Sequence, residues 1–246
     1  MSTAPDAMAG WWRHHFDDVY FQLHDPLFSE ARSRCEVAGM RELLALPHGA
    51  RVLDAPCGWG RHTGLLVEAG MNAYGADLSL DLLRHTPAAS GYAAADLRRL
   101  PFASASFDAV VNVYTSLGLF LDDAEDVAAL AEARRVLKPG GSLLLESMHR
   151  DEVMAGYAER DRWVLPDGTE VRVRRRFDPV TGISQERLRW RRGEEEGRKA
   201  YALRLRTATE IDRLLHTAGF QSVAYFGGWG GRPLRRDSES LIAVAR

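Results

Sequence analysis

Apolar and polar residues follow one another in blocks that predict alternating strands and helices. Short apolar runs typical of buried strands occupy residues 51–54, 72–76, 91–95, 107–114 and 142–148. Helical patterns separate them at 61–68, 79–85 and 122–137. This alternation predicts a parallel sheet covered by helices on both faces, with any ligand site at the carboxyl ends of its strands.

The pattern changes after Met148, where apolar and charged residues alternate singly. Such alternation predicts an antiparallel ribbon built from 163–170, 171–177, 183–190 and 200–206. Its arginines either hold an acidic substrate or lie on the wet face of the ribbon, and the second reading is the commoner one. A helix at 209–218 and a final hairpin of 220–226 with 241–245 complete the chain.

The first part of the chain, residues 10–45, is helical in pattern and rich in aromatic rings. A second helix is predicted to start at Asp25-Pro26. The aromatic rings of residues 10–45 either pack against the sheet or form a lid over a pocket. In the lid interpretation one or two of His15, Tyr20 and Phe21 face the pocket.

Composition narrows the functional classes. The chain has 246 residues and a formal net charge of -2, which argues against a dedicated nucleic-acid binder. Cys35 and Cys57 lack metal-ligand spacing, so no metal site is predicted. We find no apolar stretch long enough to span a membrane and no signal-peptide pattern in residues 1–10, and we expect a cytoplasmic protein, either a monomer or a homodimer.

One stretch, Arg51 to Gly64, carries the clearest chemistry. A buried strand ends at Asp54, and Gly58 and Gly60 then permit a tight turn that brings the backbone close to a ligand. A dinucleotide fingerprint would need a third glycine where Thr63 stands, which makes a nicotinamide-dependent oxidoreductase the weaker alternative. An ordinary turn without ligand is the other alternative.

The segment Asp54 to Gly60 resembles the D-x-G-x-G-x-G signature of class I S-adenosylmethionine (SAM) dependent methyltransferases, with Pro56 in place of the first glycine. The stretches LPFASASFDAVV and LKPGG follow at the intervals usual in that family. The resemblance implies a Rossmann-like, seven-stranded mixed sheet whose last strand is antiparallel, with an antiparallel β insertion after the fifth strand. It also implies SAM as cofactor and S-adenosylhomocysteine as product.

Candidate cofactor residues follow from the strand ends and the resemblance together. Asp77 ends the second strand, where a carboxylate can accept hydrogen bonds from both ribose hydroxyls, and Asp96 with Leu97 ends the third, where adenine needs an acceptor and an apolar wall. A lone Asp at such a position is more often a turn or helix cap. The full predicted set is Asp54, Pro56, Gly58, Gly60, Asp77, Leu78, Asp96, Leu97, Asn112 and Tyr20.

Candidate catalytic residues are His149, Tyr114 and His15. The loop from Asn112 to Gly118 would face the methyl group, and SLGLF at 116–120 is similar to loops of bacterial relatives that act on small molecules. A hydroxyl acceptor needs a base, and imidazole titrates near neutral pH. A helix cap at Ser116 and structural histidines are the alternatives.

The predicted organisation is a helical lid at 1–48, a SAM-binding core at 49–149, a β insertion over the substrate site at 150–206, and a C-terminal helix and hairpin at 207–246. The predicted function is methyl transfer from SAM to a nitrogen or oxygen of a small molecule. A non-catalytic SAM-binding sensor or partner subunit remains an alternative from a different class.

Overall fold

The computed structural model of the protein describes residues 10–87 and 91–246. The first nine residues of the predicted lid segment therefore lie outside the described part of the chain.

A seven-stranded sheet forms the centre of the molecule. In spatial order its strands are β10 Val223–Phe226, β11 Leu241–Ala245, β5 Leu137–Ser147, β4 Phe107–Asn112, β1 Arg51–Asp54, β2 Asn72–Asp77 and β3 Gly91–Ala94. The strands β1 to β5 run parallel to one another, whereas β11 runs antiparallel to both β5 and β10. The prediction of a mixed sheet with an antiparallel last strand is confirmed.

Helices cover both faces of this sheet. On one face, Met40 and Leu66 of α3 and α4 pack on the buried strand residues Val52 and Val111. On the other, Leu130 and Ile211 belong to α6 and α8 and pack in a second core cluster. The helices are α1 Trp12–His15, α2 Asp18–His24, α3 Glu30–Leu43, α4 Arg61–Glu68, α5 Leu80–Leu83, α6 Asp123–Val136, α7 Arg150–Ala155 and α8 Ala208–Thr217.

The second helix of the N-terminal region begins later than its sequence predicts. Residues Asp25–Leu27 close a 3-10 turn, and α3 starts at Glu30. The side chain of Ser29 accepts a hydrogen bond from the Arg32 amide at 3.2 Å, so Ser29 and not Asp25 is the capping residue. The prediction of a helix start at Asp25-Pro26 was wrong.

The predicted insertion after the fifth strand is confirmed as a separate four-stranded antiparallel sheet. Its strands are β6 Arg160–Val164, β7 Glu170–Asp178, β8 Ile183–Arg192 and β9 Glu195–Arg204, in that order. The last strand starts five residues earlier than the predicted 200–206, because residues 195–199 pair with β8. Val171, Val173 and Leu188 on the inner face form a small core with Leu23 of α2. This core joins the second sheet to the N-terminal helices.

The fifth strand also begins earlier than expected, at Leu137 and not at Ser142. It thereby includes Lys138, whose ammonium lies 2.6 Å from a carboxylate oxygen of Asp108 on β4. This ion pair stands at the amino end of the strand, whereas the strand ends that can carry a ligand site lie at the opposite edge of the sheet.

No helix within residues 10–87 and 91–246 has the length and apolar run needed to cross a membrane. In the same residues, no group of three or more His, Cys, Asp or Glu side chains is placed to hold a metal ion.

Candidate functional site

A cavity of about 230 Å³ opens at the carboxyl ends of the parallel strands. Three parts of the chain close it: the N-terminal helices, the loop after β4, and strand β9 of the second sheet. The predicted site residues that line it are His15, Tyr20, Pro56, Gly58, Asp77, Leu78, Asp96, Leu97 and Tyr114. Asp54, Gly60, Asn112 and His149 are not among the lining residues.

The two glycines of the turn after β1 differ in what surrounds them. Both have left-handed backbone angles, with φ of 55° at Gly58 and 75° at Gly60. A β-carbon built on Gly58 would meet only a Leu82 methyl at 3.9 Å within 4 Å, so the space beside Gly58 is open. A β-carbon on Gly60 would come within 2.6 Å of the Tyr92 hydroxyl. Gly58 therefore leaves room for a ligand, whereas Gly60 permits close packing.

Asp77 joins the turn to the start of α5. One carboxylate oxygen accepts the Gly58 amide and the other accepts the Ser79 amide, each at 2.8 Å. The residue is buried, and burial raises the pKa of its carboxyl. Each oxygen keeps a lone pair after these bonds, so the carboxylate can accept further hydrogen bonds from a diol in the cavity.

Asp96, at the end of the third strand, is paired with Arg98. The nearest guanidinium nitrogen lies 2.5 Å from its carboxylate, and the hydrogen bond from Arg98 lowers the pKa of Asp96. The Arg98 guanidinium also lies over two rings that line the cavity, 5.1 Å from the Trp12 centroid and 4.9 Å from that of Phe120. Arg98 thus links the strand end to the N-terminal helix and to the loop after β4.

Asp54 and Asn112 do not line the cavity but bond to the segments that form it. Asp54 is fully buried and accepts a hydrogen bond from the Thr63 hydroxyl at 2.7 Å. Burial raises the pKa of its carboxyl. The Asn112 amide donates to the Ala55 carbonyl at 2.9 Å and accepts from the Ser116 hydroxyl at 2.5 Å. Asn112 therefore fixes the turn after β1 against the loop after β4.

The loop after β4 has an unusual backbone. Tyr114 and Thr115 both have positive φ, 65° and 58°, which non-glycine residues rarely adopt. Glu146 on β5 holds this conformation, because its carboxylate accepts the Tyr114 amide at 2.7 Å and its carbonyl accepts the Thr115 amide at 3.3 Å. The Tyr114 side chain, 45% exposed, consequently turns outward at the cavity.

His15 lies in a cluster of rings on the side of the cavity away from the strand ends. Its ring centroid is 5.0 Å from that of Trp11, 5.5 Å from Tyr20 and 5.3 Å from Tyr201 of β9. Burial, with the positive charge of Lys199 adding to it, lowers the pKa of His15 to about 3. The imidazole is therefore neutral at physiological pH and a weak base.

Lys199 fastens this aromatic cluster to the second sheet. Its ammonium lies 2.6 Å from the Asp17 carboxylate and donates to the His15 carbonyl at 2.7 Å. The side chain is only 9% exposed. The N-terminal helices are thus ion-paired to β9.

Tyr20 and Phe21 take different positions. Tyr20 is buried, lines the cavity, and stacks on His24 with centroids 3.9 Å apart. Burial raises the pKa of its phenol. Phe21 instead stacks on His85 at 3.9 Å and is not among the lining residues.

The structure places His149 away from the cavity. It precedes α7, is buried, and its Nδ1 lies 3.2 Å from the Ser238 carbonyl in the loop between β10 and β11. Its Nε2 lies 3.8 Å from the Asp151 carboxylate. In this position it does not reach a ligand in the cavity.

Sequence reasoning missed a polar cluster formed by Glu36, Arg61 and His62. Arg61 and His62 line the cavity, and the buried Glu36 carboxylate bonds to the Arg61 guanidinium and, at 2.7 Å, to the His62 ring. Although burial alone would raise it, the hydrogen bond from His62 and the charge of Arg61 lower the pKa of Glu36 to about 2. The position of Arg61 and His62 directly after Gly60 could have predicted that they lie at the cavity. Nothing in the sequence places Glu36 of α3 there.

Comparison with known proteins agrees with this geometry. Residues 52–141 match a family model described as a methyltransferase domain. The chain is 35% identical over 144 residues to a malonyl-[acyl-carrier protein] O-methyltransferase of Herminiimonas arsenicoxydans, covering 55% of this chain and 54% of that protein. It is 36% identical over 152 residues to a demethylmenaquinone methyltransferase of Renibacterium salmoninarum, covering 59% and 60%. The chain thus spans little more than half the length of these curated relatives.

Similarity to solved structures extends over almost the whole chain. The CcbJ methyltransferase of Streptomyces caelestis superposes with a TM-score of 0.82 at 18% identity, covering 95% of this chain and 98% of that one. SAM-bound CalS10, an amino pentose methyltransferase of Micromonospora echinaspora, gives a TM-score of 0.73 at 26% identity and covers 93% and 97%.

Proposed function

We propose that this chain, which belongs to the class I SAM-dependent methyltransferases, transfers the methyl group of SAM to a small molecule, with a nitrogen atom as the preferred acceptor. The observation that carries the proposal is the cavity itself, with carboxylates at two strand ends on one side and aromatic rings on the other. SAM supplies an electrophilic methyl group when bound. The chain's residues then need to bind SAM and the acceptor, align the acceptor with the methyl group, and exclude water.

The strand-end side fits the cofactor. Open space beside Gly58 admits a ligand close to the backbone, and Asp77 next to it can accept both ribose hydroxyls. Asp96 and Leu97 provide an acceptor and an apolar wall for adenine. We assign Arg61 to the methionine carboxylate, because Arg61 lines the cavity beside the glycine turn and a guanidinium has further donors besides those that bond to Glu36 and Ser33.

The aromatic side fits the methyl acceptor. Trp11 and His15 at the two ends of the first helix and Tyr201 of β9 enclose the space with ring surface. We propose that the core at 49–149 binds the cofactor while the insertion at 150–206 contributes to acceptor choice through Tyr201 and Leu203.

The electrostatics of the aromatic side favour nitrogen over oxygen as the atom that accepts the methyl group. An alcohol needs a base before it attacks, but burial lowers the pKa of His15 to about 3, which makes its imidazole a weak base. An amine can lose its proton to water before it enters and attack as the free base. The relative described as an amino pentose methyltransferase fits this preference, and the one described as an O-methyltransferase keeps oxygen as the second candidate.

The test uses purified protein, SAM with a labelled methyl group, and matched pairs of an amino sugar and the corresponding hydroxy sugar. The labelled methyl group should be transferred to the amino sugar of each pair. The rate of transfer should rise with pH around the pKa of the sugar's amine. Transfer to the hydroxy sugar alone would contradict the nitrogen preference.

Calorimetry with S-adenosylhomocysteine and with NADH separates the alternatives. Binding of S-adenosylhomocysteine without transfer to any acceptor would favour the non-catalytic interpretation. Binding of NADH without S-adenosylhomocysteine would overturn the methyltransferase proposal.

A further inference from the structure

The outer face of the second sheet carries two adjacent lines of arginines. In the first line, Arg162 pairs with Arg172, Arg172 with Arg189, and Arg189 with Arg198, so one arginine comes from each strand. In the second, Arg160 pairs with Arg174 and Arg174 with Arg187. Directly paired residues of antiparallel strands project from the same face. We call these seven residues the arginine face.

This face is solvent-exposed and largely without ion-pair partners. All seven residues are exposed. Among the residues that the structure describes, the one ion pair that any of them forms within 4 Å joins Arg172 to Glu170, at 3.4 Å. The chain as a whole has a net charge of -2, so the face differs in sign from the rest of the molecule.

Stability does not account for the pattern. Like charges directly opposite one another on a sheet are destabilising. The face is not needed for the core of the sheet either, because Val171, Val173 and Leu188 project from the other side. The cavity-lining residues Tyr201 and Leu203 also belong to that inner side.

We propose that the arginine face docks an acidic protein partner. Three strand spacings make it about 15 Å wide, enough for one helix of a partner with acidic side chains. A partner bound there leaves the cavity open, since the sheet lies between them. The proposal concerns a surface outside the cavity and does not depend on the assignment of the methyl acceptor.

The neighbouring residues favour a protein over nucleic acid or membrane. The next line of the same face runs from Val164 through Glu170 and Arg191 to Glu196, and its two carboxylates would repel phosphates, while Val164 is a single exposed apolar side chain. Neither arginine line contains an aromatic ring for base stacking or a large apolar side chain for insertion into lipid. A protein surface can match both signs of charge.

Fluorescence anisotropy with a labelled helical peptide of Glu and Ala repeats tests the proposal on the full chain. The triple variant Arg174→Gln, Arg187→Gln, Arg189→Gln should bind the peptide about tenfold more weakly than the wild type at low salt, on the basis of three exposed charge contacts. The matched control is Arg41→Gln, Arg213→Gln, Arg236→Gln, which removes the same charge at three exposed positions outside the face. The control should bind like the wild type.

Thermal unfolding checks that the triple variant folds, and its midpoint should equal or exceed that of the wild type because repulsion is removed. A lysine version of the same triple keeps the charge and should retain binding. Equal loss in the face and control variants, or no binding by the wild type, would overturn the proposal. Tighter binding of duplex DNA or of phosphatidylserine vesicles than of the peptide would also overturn it, in favour of nucleic acid or membrane respectively.

Discussion

The two sides of the cavity are held by different kinds of contact. On the strand-end side, Asp77 and Asn112 bond to backbone groups of neighbouring turns at 2.8 and 2.9 Å. On the aromatic side, the rings of Trp11 and His15 meet the Tyr201 ring of β9 at tilted angles, with centroid distances of 5.9 and 5.3 Å. Directional hydrogen bonds fix one geometry, whereas ring contacts tolerate small shifts. The first side suits a constant ligand and the second a ligand that varies between relatives.

The largest effect is expected where the two sides are joined. Arg206, just beyond β9, bonds to Asp126 of α6 at 2.5 Å, with both side chains almost fully buried. Asp126 also accepts the Gly118 amide of the loop after β4 at 3.1 Å. Asp126→Ala should lower the free energy of unfolding by about 3 kcal/mol, because the Gly118 amide loses its acceptor and the buried Arg206 guanidinium keeps only the largely exposed Asp123 carboxylate, at 2.8 Å, as an ion-pair partner. Unfolding in urea measures this change in the free energy of unfolding.

The control for this change is Asp81→Ala, which breaks an exposed pair with Arg84 and should cost less than about 1 kcal/mol. The double change Asp126→Leu with Arg206→Met should recover most of the loss, since no charge then stays buried alone. If Asp126→Ala cost no more than the control, this pair would not join the two sides.

The next effect concerns the strand-end side alone. Asp77→Ala should weaken binding of S-adenosylhomocysteine about ten- to a hundredfold, the equivalent of about 1.5–3 kcal/mol for hydrogen bonds to a charged group. Calorimetry measures the affinity, with Asp81→Ala as the control. Tyr201→Leu on the aromatic side should leave the affinity within about twofold. A similar loss from both changes would show that the two sides do not divide cofactor from acceptor.

A third effect is confined to the aromatic side and depends on pH. The pKa of His15 in the folded chain, about 3, lies below the value of 6.5 for a free histidine. The unfolded chain therefore binds the proton more readily. The stabilising contribution is complete above pH 6.5 and is lost as the pH falls from there toward 3. The loss should approach about 1.4 kcal/mol per pH unit.

His15→Phe keeps a ring and removes this titration, so its unfolding free energy should fall less steeply between pH 6.5 and 5 than that of the wild type. His14→Phe, at an exposed neighbouring position, is the control and should keep the wild-type slope. Identical slopes for all three proteins would mean that His15 is not the buried neutral group described above.

The smallest effect concerns motion of the aromatic segment. Hydrogen exchange of residues 10–22 should be fast in the free protein and slower with S-adenosylhomocysteine, because these helices close the cavity. Trp12 contacts Arg98 and, at 5.1 Å, the Phe120 ring. Trp12→Leu should speed exchange about two- to tenfold, as expected for contacts of about 0.5–1.5 kcal/mol.

The peptide of α6 around Leu130 serves as the internal control and should exchange equally in all samples. Strong protection of residues 10–22 without ligand would instead mean that these rings belong to the permanent core. The lid interpretation would then be abandoned.

These contrasts explain how far the sequence could predict the structure. Asp77 and Asp96 were found at the cavity because parallel strands bring their carboxyl ends to one edge, whatever the loops do. The same rule selected His149, but its ring is held by the Ser238 carbonyl, 89 positions later in the chain. Contacts over such separations leave no periodic signal.

The same limit applies to the aromatic side. Tyr201 meets His15 only because β9 folds back over α1. The alternating pattern of the strand predicts which residues share a face of the sheet with Tyr201, but it does not predict which part of the molecule that face covers. The sequence shows the aromatic residues of positions 11–21, but it does not show whether they belong to the permanent core or to a lid.

The burial of Lys199 makes the molecule convenient for chemical footprinting. The sequence contains two lysines, and the other, Lys138, stands at the amino end of β5. Both amines are ion-paired, Lys199 with Asp17 and Lys138 with Asp108, but acylating reagents reach the Lys138 side chain, which is 38% exposed, more readily than that of Lys199, which is 9% exposed. The Lys199 amine becomes reactive when the N-terminal helices separate from β9. The mass added to the Lys199 peptide over time therefore measures how often that separation occurs, with Lys138 as the reference amine in the same tube.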